Sequence, residues 1–318
     1  MTLLITEAEV EGLLDMQTTL EAVEGVFRQQ GAGLATNRAR RRVHYPGGQL
    51  NVMFAAAPEI EAAGAKAYTV SRNGARFYTL LFEPESGHLL ALIQSDRMGQ
   101  LRTGAATGVG VRYLARPDAT TLGLYGTGWQ AESQLEAVAA VRDLSRVTVY
   151  SRTQEKRESF ASRMGERLGL EGIITTTDRP EEPASEDLVV TVTSSKEPVL
   201  RGEWLRPGAH VTAAGSNSLL KSEVDRDTLR RASLVCVDSR EVLGLEAGDL
   251  LAPLESGTIM PEAVYELSHV VAGLHPGRRS PEEITFFASQ GLALEDLAVA
   301  RIVYDRAVER GLGREIDF

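Results

Sequence analysis

The sequence predicts an α/β chain in which a doubly wound parallel sheet follows a sheet-rich α+β module. Three observations lead there. From Thr121 onward, short apolar strands alternate with amphipathic helices, the pattern of a parallel sheet covered on both faces. Residues 1–95 instead carry longer alternating strands joined by tight turns. Between the two lies "RPDAT" at 116–120, a break at the end of a helical run, and 318 residues favour two domains over one.

The elements follow in order. Thr6 can cap a helix carrying Val10, Leu13 and Leu14, with Glu9 in the capping-box position. A second helix around 20–30 places Val23, Val26 and Phe27 on one face. "NRARRRVHYPGGQLNVMFA" reads as a hairpin turning at Pro46-Gly47-Gly48. "AKAYTVS" and "RFYTLLFEPESGHLLALIQ" supply further strands, the last two joined by a turn at 84–87. A helix opens near Asp96 and runs through "LRTGAATGVGVRYLA". Strand 121–125 then leads into helix 129–142, and strand 146–150 into helix 153–168. "GIITTT", "DLVVTVT", "AHVTAAG" and "LVCVDS" are later strands. A closing helix, "LEDLAVARIVYDRAVERG", carries Leu297, Ala300, Tyr304 and Ala307 on a stripe, which suits a return to the first module.

Composition excludes several classes. A formal charge of -10 gives no basic field for nucleic acid. No uncharged apolar run reaches membrane-spanning length, so no membrane partner is expected. Cys236 is the sole cysteine, so no intrachain disulfide can form and a reducing cytoplasm suits the chain. The opening "MTLLITEAEVEGLLDM" lacks the basic and apolar regions of a signal peptide. The five histidines are scattered, without H-E-x-x-H spacing or a cysteine partner, so no metal site is expected. G-x-S-x-G is absent, which disfavours the common hydrolase elbow.

One stretch carries specific chemistry. In "LGLYGTGWQAESQ" an apolar strand meets Gly126-Thr127-Gly128-Trp129-Gln130-Ala131 and then a helix. Gly126 makes the turn, Gly128 lets a pyrophosphate approach the backbone, and Ala131 lets helix pack on strand. The helix N-terminus adds free N–H groups and a positive dipole. The same spelling also occurs as a plain strand-to-helix turn; the second strand, "RVTVYSRT", at the spacing of a Rossmann-type dinucleotide domain, favours the cofactor reading. NAD sites place an acid at that second strand's end to hold the ribose hydroxyls. Here the end is Ser151-Arg152-Thr153, with Arg157 following. A cation without an acid favours NADPH, with NADH as the other candidate, unless Arg152 is only a solvated strand end.

The order of "GAKAYT", "GQLRTGAATG", "GTGWQAESQ", "EWLRPGAHVTAAGSN" and "EITFFASQGLALEDLA" resembles the ornithine cyclodeaminase and mu-crystallin family across nearly the whole chain. That resemblance implies a discontinuous first domain, residues 1–115 and 294–318, which binds substrate and forms a homodimer. It implies a dinucleotide-binding domain over 116–293. It assigns Arg102 to the substrate carboxylate, where a planar guanidinium fork fits, and Lys66 to the same pocket, as anchor or proton donor. A further arginine comes from the hairpin. Arg38, Arg40 and Arg42 alternate on one strand face, and counting from the turn favours Arg38, then Arg40. Thr103, Thr193, Ser216, Lys221 and Ser289 are implied near the nicotinamide.

Asn217 stands where cyclodeaminases carry an aspartate, and an asparagine cannot serve as a general base near neutral pH. It can orient substrate or water. The expectation is therefore an NAD(P)H-dependent oxidoreductase acting on a C=N bond alpha to a carboxylate, on a small imino or amino acid. A cyclodeaminase recycling NAD and an NADPH-binding protein with little turnover are the alternatives.

Overall fold

A computed structural model describes residues 2–317. In chain order its elements begin with β1 (Thr2–Ile5), α1 (Glu7–Leu13), α2 (Met16–Gly31), β2 (Thr36–Tyr45), β3 (Gly48–Ala57), β4 (Ala62–Ser71), β5 (Gly74–Phe82), β6 (Leu89–Gln94) and α3 (Asp96–Leu114). There follow β7 (Thr121–Tyr125), α4 (Trp129–Val141), β8 (Arg146–Tyr150), α5 (Gln154–Leu168), β9 (Ile174–Thr177), α6 (Glu181–Ala184), β10 (Leu188–Thr191), β11 (His210–Ala213) and α7 (Arg226–Arg231). The last are β12 (Ala232–Val237), α8 (Gly248–Glu255), β13 (Val264–Glu266), α9 (Leu267–Val271), β14 (Ile284–Ala288), α10 (Ala293–Arg310) and β15 (Arg314–Ile316).

The chain forms two compact units, Met1–Arg102 with Leu292–Phe318, and Thr103–Gly291. The first division falls inside α3, whereas the sequence suggested 115/116, just past the end of that helix at Leu114. The second falls before Leu292, two residues ahead of the expected point.

The first unit holds a seven-stranded sheet in the order β15-β1-β6-β5-β4-β3-β2. From β6 to β2 every pairing is antiparallel, as two-residue turns and short loops permit. The alternation of β3 buries Asn51, Met53, Ala55 and Ala57 and turns Leu50 and Phe54 outward. Helix α10 packs on β3 and β4 and against α2. The opposite face leaves Val43, Tyr45, Leu50, Phe54 and Tyr78 exposed. Strands β1 and β15 were not foreseen in the sequence; β1 is a four-residue edge-side strand, too short to show a period.

The second unit holds an eight-stranded sheet, β13-β12-β14-β11-β10-β7-β8-β9, with every pairing parallel. Strand order reverses between β10 and β7, which is where such sheets open a ligand crevice at their carboxyl ends. Two apolar clusters cover the sheet, one around Tyr125, Val211 and Phe286, the other around Leu124, Val149 and Phe160. Strand β14 sits between β11 and β12; its five-residue apolar run, "ITFFA", is fully buried and so carries no alternation to read. Among the described residues no helix is long and apolar enough to cross a membrane.

Candidate active site

In the first unit, Lys66 lies in the middle of β4, opposite Met53 of β3 and Thr79 of β5. Its side chain is 2% exposed. Nζ donates to Asp296 Oδ1 at 2.8 Å and stands 5.0 Å from the ring of Phe77. Burial pulls its pKa down to about 8, with Asp296 resisting and Arg102 assisting. Gly99 of α3 makes room for it: a Cβ there would stand 2.9 Å from Nζ.

Arg102, one helical turn further on, is also buried. Its Nε donates to the same Asp296 Oδ1 at 3.0 Å, and Nη1 donates to Glu295 Oε2 at 2.7 Å. Burial works against its charge, but Asp296 and Glu295 outweigh it and raise its pKa. Burial pushes the Glu295 carboxyl up, and Arg102 resists. Asp296 Oδ2 is buried with no hydrogen-bond partner. The two carboxylates thus hold the guanidinium through Nε and Nη1 and fix its plane, the orientation a planar anion would meet.

Both acids come from the first turn of α10. Asn37 of β2 orients that turn, its Oδ1 accepting from Ala293 N at 2.9 Å and Leu294 N at 3.4 Å, while Leu292 N donates to Glu295 Oε1. Neither Glu295 and Asp296 nor Asn37 was foreseen as a site residue. Acids are common in the first turn of a helix, so nothing local in "LED" marks these two as site residues.

The hairpin arginines differ from the alternating expectation. The β2–β3 register shifts between Arg38 and Arg41, so the strict two-residue period breaks there. Arg38 pairs with Phe54 on the exposed face, away from Lys66. Arg40 is buried, 5.9 Å from the ring of Tyr68, and its charge acts on Lys66. Of the two, Arg40 is the buried one and lies near Lys66, while Arg38 is exposed.

In the second unit, the residues singled out gather at the carboxyl edge of the parallel sheet. Gly126 follows β7 with φ +113, a conformation open to glycine, and its N–H donates to Tyr150 O. A Cβ on it would stand 2.5 Å from Val192 O. Gly128 is the N-cap of α4, no side chain caps that terminus, and a Cβ on Gly128 would meet open space. Thr127 and Gln130 are half-buried, Trp129 is exposed, and Ala131 is wholly buried under the turn. At the end of β8, Arg152 and Thr153 are exposed, Ser151 Oγ donates to Thr153 O, and Arg157 folds back to donate to Ser151 O at 3.1 Å. Arg157 thus braces the strand end, and Arg152 is the cation that reaches solvent.

Thr193 follows β10, Ser216 and the exposed Asn217 follow β11, and Ser289 follows β14. Ser216 Oγ donates to Ser218 O and Lys221 O, and Lys221 is half-buried. Ser289 Oγ is buried with no hydrogen-bond partner. Thr103 opens this unit, half-buried within α3. An uncapped helix start, a glycine turn with open space before it and an orphaned hydroxyl at the strand ends all fit a dinucleotide.

The model of the ornithine cyclodeaminase/mu-crystallin family matches residues 1–311. The chain belongs to this family. A relative within it, the Δ1-pyrroline-2-carboxylate reductase of Bacillus cereus, is 34% identical over 99% of the chain and 100% of its own length. Among solved structures, the Thermococcus litoralis Δ1-pyrroline-2-carboxylate reductase in complex with NADH and L-proline superposes with a TM-score of 0.93 at 33% identity, covering 99% of this chain and all of that one. An archaeal alanine dehydrogenase dimer with bound NAD also gives 0.93, at 34% identity over 100% of this chain and 99% of that one. Members of the ornithine cyclodeaminase/mu-crystallin family so similar over their full length share the two-unit α/β fold described above.

Proposed function

We propose that the chain is a nicotinamide-dependent oxidoreductase that reduces the C=N bond of a cyclic imine or ketimine alpha to a carboxylate, or runs the reverse amino-acid oxidation. The observation that carries this reading is the buried Lys66–Arg102 pair held by Glu295 and Asp296. Arg102 and Arg40 bind the carboxylate. Lys66, with its pKa lowered to about 8, passes a proton to the nitrogen during reduction and takes it back in the reverse direction. The nicotinamide, when bound, supplies or accepts the hydride. Asn217 orients by hydrogen bonding; it cannot take the base role that cyclodeamination asks of an aspartate. The reductase and dehydrogenase activities of the full-length relatives support the same reaction class. A screen of pyrroline-2-carboxylate, piperideine-2-carboxylate, and pyruvate with ammonia, followed by cofactor absorbance, tests it. Ammonia release from ornithine without net cofactor change would make the chain a cyclodeaminase. Tight cofactor binding without turnover on any of these would make it a binding protein.

For the cofactor we propose NADPH over NADH, with Gly126, Thr127, Gly128, Trp129 and Gln130 at the pyrophosphate and Arg152 on the 2′-phosphate. The exposed arginine and the lack of an acid at Ser151 support this, while the NADH and NAD of the two solved relatives keep NADH as its rival. Arg152→Ala should weaken NADPH by roughly 1.5–3 kcal/mol, the worth of a charge-assisted hydrogen bond, and leave NADH almost unchanged. Equal losses for both cofactors in fluorescence titrations would remove Arg152 from the 2′-phosphate.

We further propose a homodimer built on the first unit's exposed apolar face, Val43, Tyr45, Leu50, Phe54 and Tyr78, since a patch of this kind on a sheet seeks a partner. The dimeric archaeal relative supports it. Light scattering at micromolar concentration should give twice the 34.5 kDa chain mass; a monomer mass would refute it. A buried, unpaired Cys236 supports a cytoplasmic location.

A further inference from the structure

The proposed reaction leaves one buried acid of the second unit unused. Glu223 is wholly buried. Its Oε1 accepts from Thr193 N at 2.5 Å, and its Oε2 accepts from Gly215 N at 2.7 Å and from Thr191 Oγ1 at 3.1 Å. Thr193 lies two residues past β10 and Gly215 two residues past β11, on adjacent parallel strands. One carboxylate therefore ties together the two loops that carry Thr193 and the Ser216–Asn217 pair. The fit is close: a Cβ on Gly215 would stand 2.4 Å from Thr193 N and 2.5 Å from Glu223 Oε1. Beneath it, Asp249 of α8 fixes the backbone of the acid itself, Oδ1 accepting from Glu223 N at 2.5 Å, Val224 N at 3.1 Å and Ser222 Oγ at 3.1 Å.

We propose that Glu223 is a positioning residue for the dinucleotide: its carboxylate clasps the loop after β10 to the loop after β11 and so sets the wall of the crevice against which the nicotinamide half lies. This rests on the reading of the second unit as the dinucleotide-binding unit. The clasp works through acceptors, so it needs the ionised form. A protonated carboxyl has to donate its hydrogen, and of its hydrogen-bond partners the Thr191 and Thr193 hydroxyls can reverse their role and accept it, while the loop amides cannot. Whichever oxygen carries the proton becomes a poorer acceptor, so both loop amides, Thr193 N on Oε1 and Gly215 N on Oε2, lose hold on average.

The charged neighbour of Glu223 is another acid, Asp249, and among the described residues no lysine, arginine or histidine pairs with Glu223. The remaining groups facing it are the Thr191 and Thr193 hydroxyls and the two loop amides. Burial, then Asp249, push its pKa up to about 7 against the pull of the Thr193 and Gly215 amides. The clasp therefore releases as pH falls through neutrality. Global stability moves the other way. A folded pKa above the unfolded value stabilises the fold at low pH and loses that contribution as pH rises through about 7. Weaker cofactor binding at pH 6 is thus not a sign of this group unfolding the protein.

The experiment measures the pH dependence of two quantities. Amide hydrogen exchange of Thr193 and Gly215 is followed in the cofactor-free protein from pH 6 to 8.5, corrected for intrinsic exchange. Dissociation constants for NADH are measured over the same range; NADH is the probe because it lacks the 2′-phosphate that itself titrates near pH 6. The expected result is a several-fold loss of protection at both amides and a three- to tenfold weaker NADH Kd below pH 7. Glu223→Gln should be weak at every pH, with both profiles flat. Thr191→Val, which removes a donor to the ionised form, should move both midpoints upward. A wild-type Kd and amide protection that are flat across the range overturn the clasp while NADH binding keeps the dinucleotide reading. Failure to bind NADH or NADPH at any pH overturns both. If Glu223→Gln does not fold, the wild-type and Thr191→Val profiles decide.

Discussion

Lys66→Met is expected to lower kcat by roughly 10²–10⁴, the range for losing a positioned general acid, while leaving NADPH and NADH affinity within twofold. The methionine keeps the length and apolar stem of the lysine against Phe77 and removes only the charged end. Folding should survive the change, because Asp296 Oδ1 keeps its second donor, Arg102 Nε. The pH profile gives the sharper reading. In the reductive direction a lysine must be protonated to deliver its proton, so wild-type kcat/KM should fall as pH rises through about 8. That limb should vanish in Lys66→Met. Asp296→Asn removes the carboxylate that supports the ammonium, so the same limb should move to lower pH. A wild-type profile flat from pH 7 to 9.5, with chemistry rate-limiting, would show that another group or water delivers the proton.

Arg102→Ala should affect both stability and substrate. It leaves Glu295 wholly without its cation and Asp296 with one donor in place of two, both in the interior. Breaking a buried ion pair from one side costs about 3–5 kcal/mol, so a large fall in Tm is expected. Arg102→Ala with Glu295→Gln removes the stranded charge and should recover most of that stability. It should not recover the substrate KM, raised on the order of tenfold or more, because the fork that meets the carboxylate is gone. Thermal melts and steady-state kinetics on the single and double variants separate the two losses. Recovery of KM along with Tm would show that Arg102 serves the fold and not the substrate.

The parts of this architecture that the sequence showed are those with local signatures. The Gly126 turn was visible because a strand, a glycine pair and a helix start must lie consecutively. The hairpin was visible from Pro46-Gly47 between alternating runs. Lys66 and Arg102 came through family resemblance, and no local pattern pairs them. The missing parts lie where local pattern and tertiary structure part. The bulge between Arg38 and Arg41 shifts the period by an odd step and moves Arg40, not Arg38, to the buried face. Glu295, Asp296 and Glu223 carry charges that composition assigns to the surface, and only their partners nearly two hundred residues away, or in loops from adjacent strands, explain their burial. Strand β14 lacks alternation because both its faces are covered.

The split of the first unit has a consequence for how the chain is made. Arg102 leaves the ribosome 193 residues ahead of Glu295, and Lys66 emerges 230 residues ahead of Asp296. At about 5–20 residues per second, the two cations wait roughly ten to fifty seconds for their counter-charges. During that interval the nascent sheet has neither α10 nor the acids that make burial of Lys66 and Arg102 tolerable. The inserted unit, by contrast, is complete as soon as Gly291 is out, and every contact of its parallel sheet lies within the segment just synthesised. The second unit is thus the one equipped to fold first, during translation, and the carboxylate-binding pocket is the last part of the protein to acquire its charge balance.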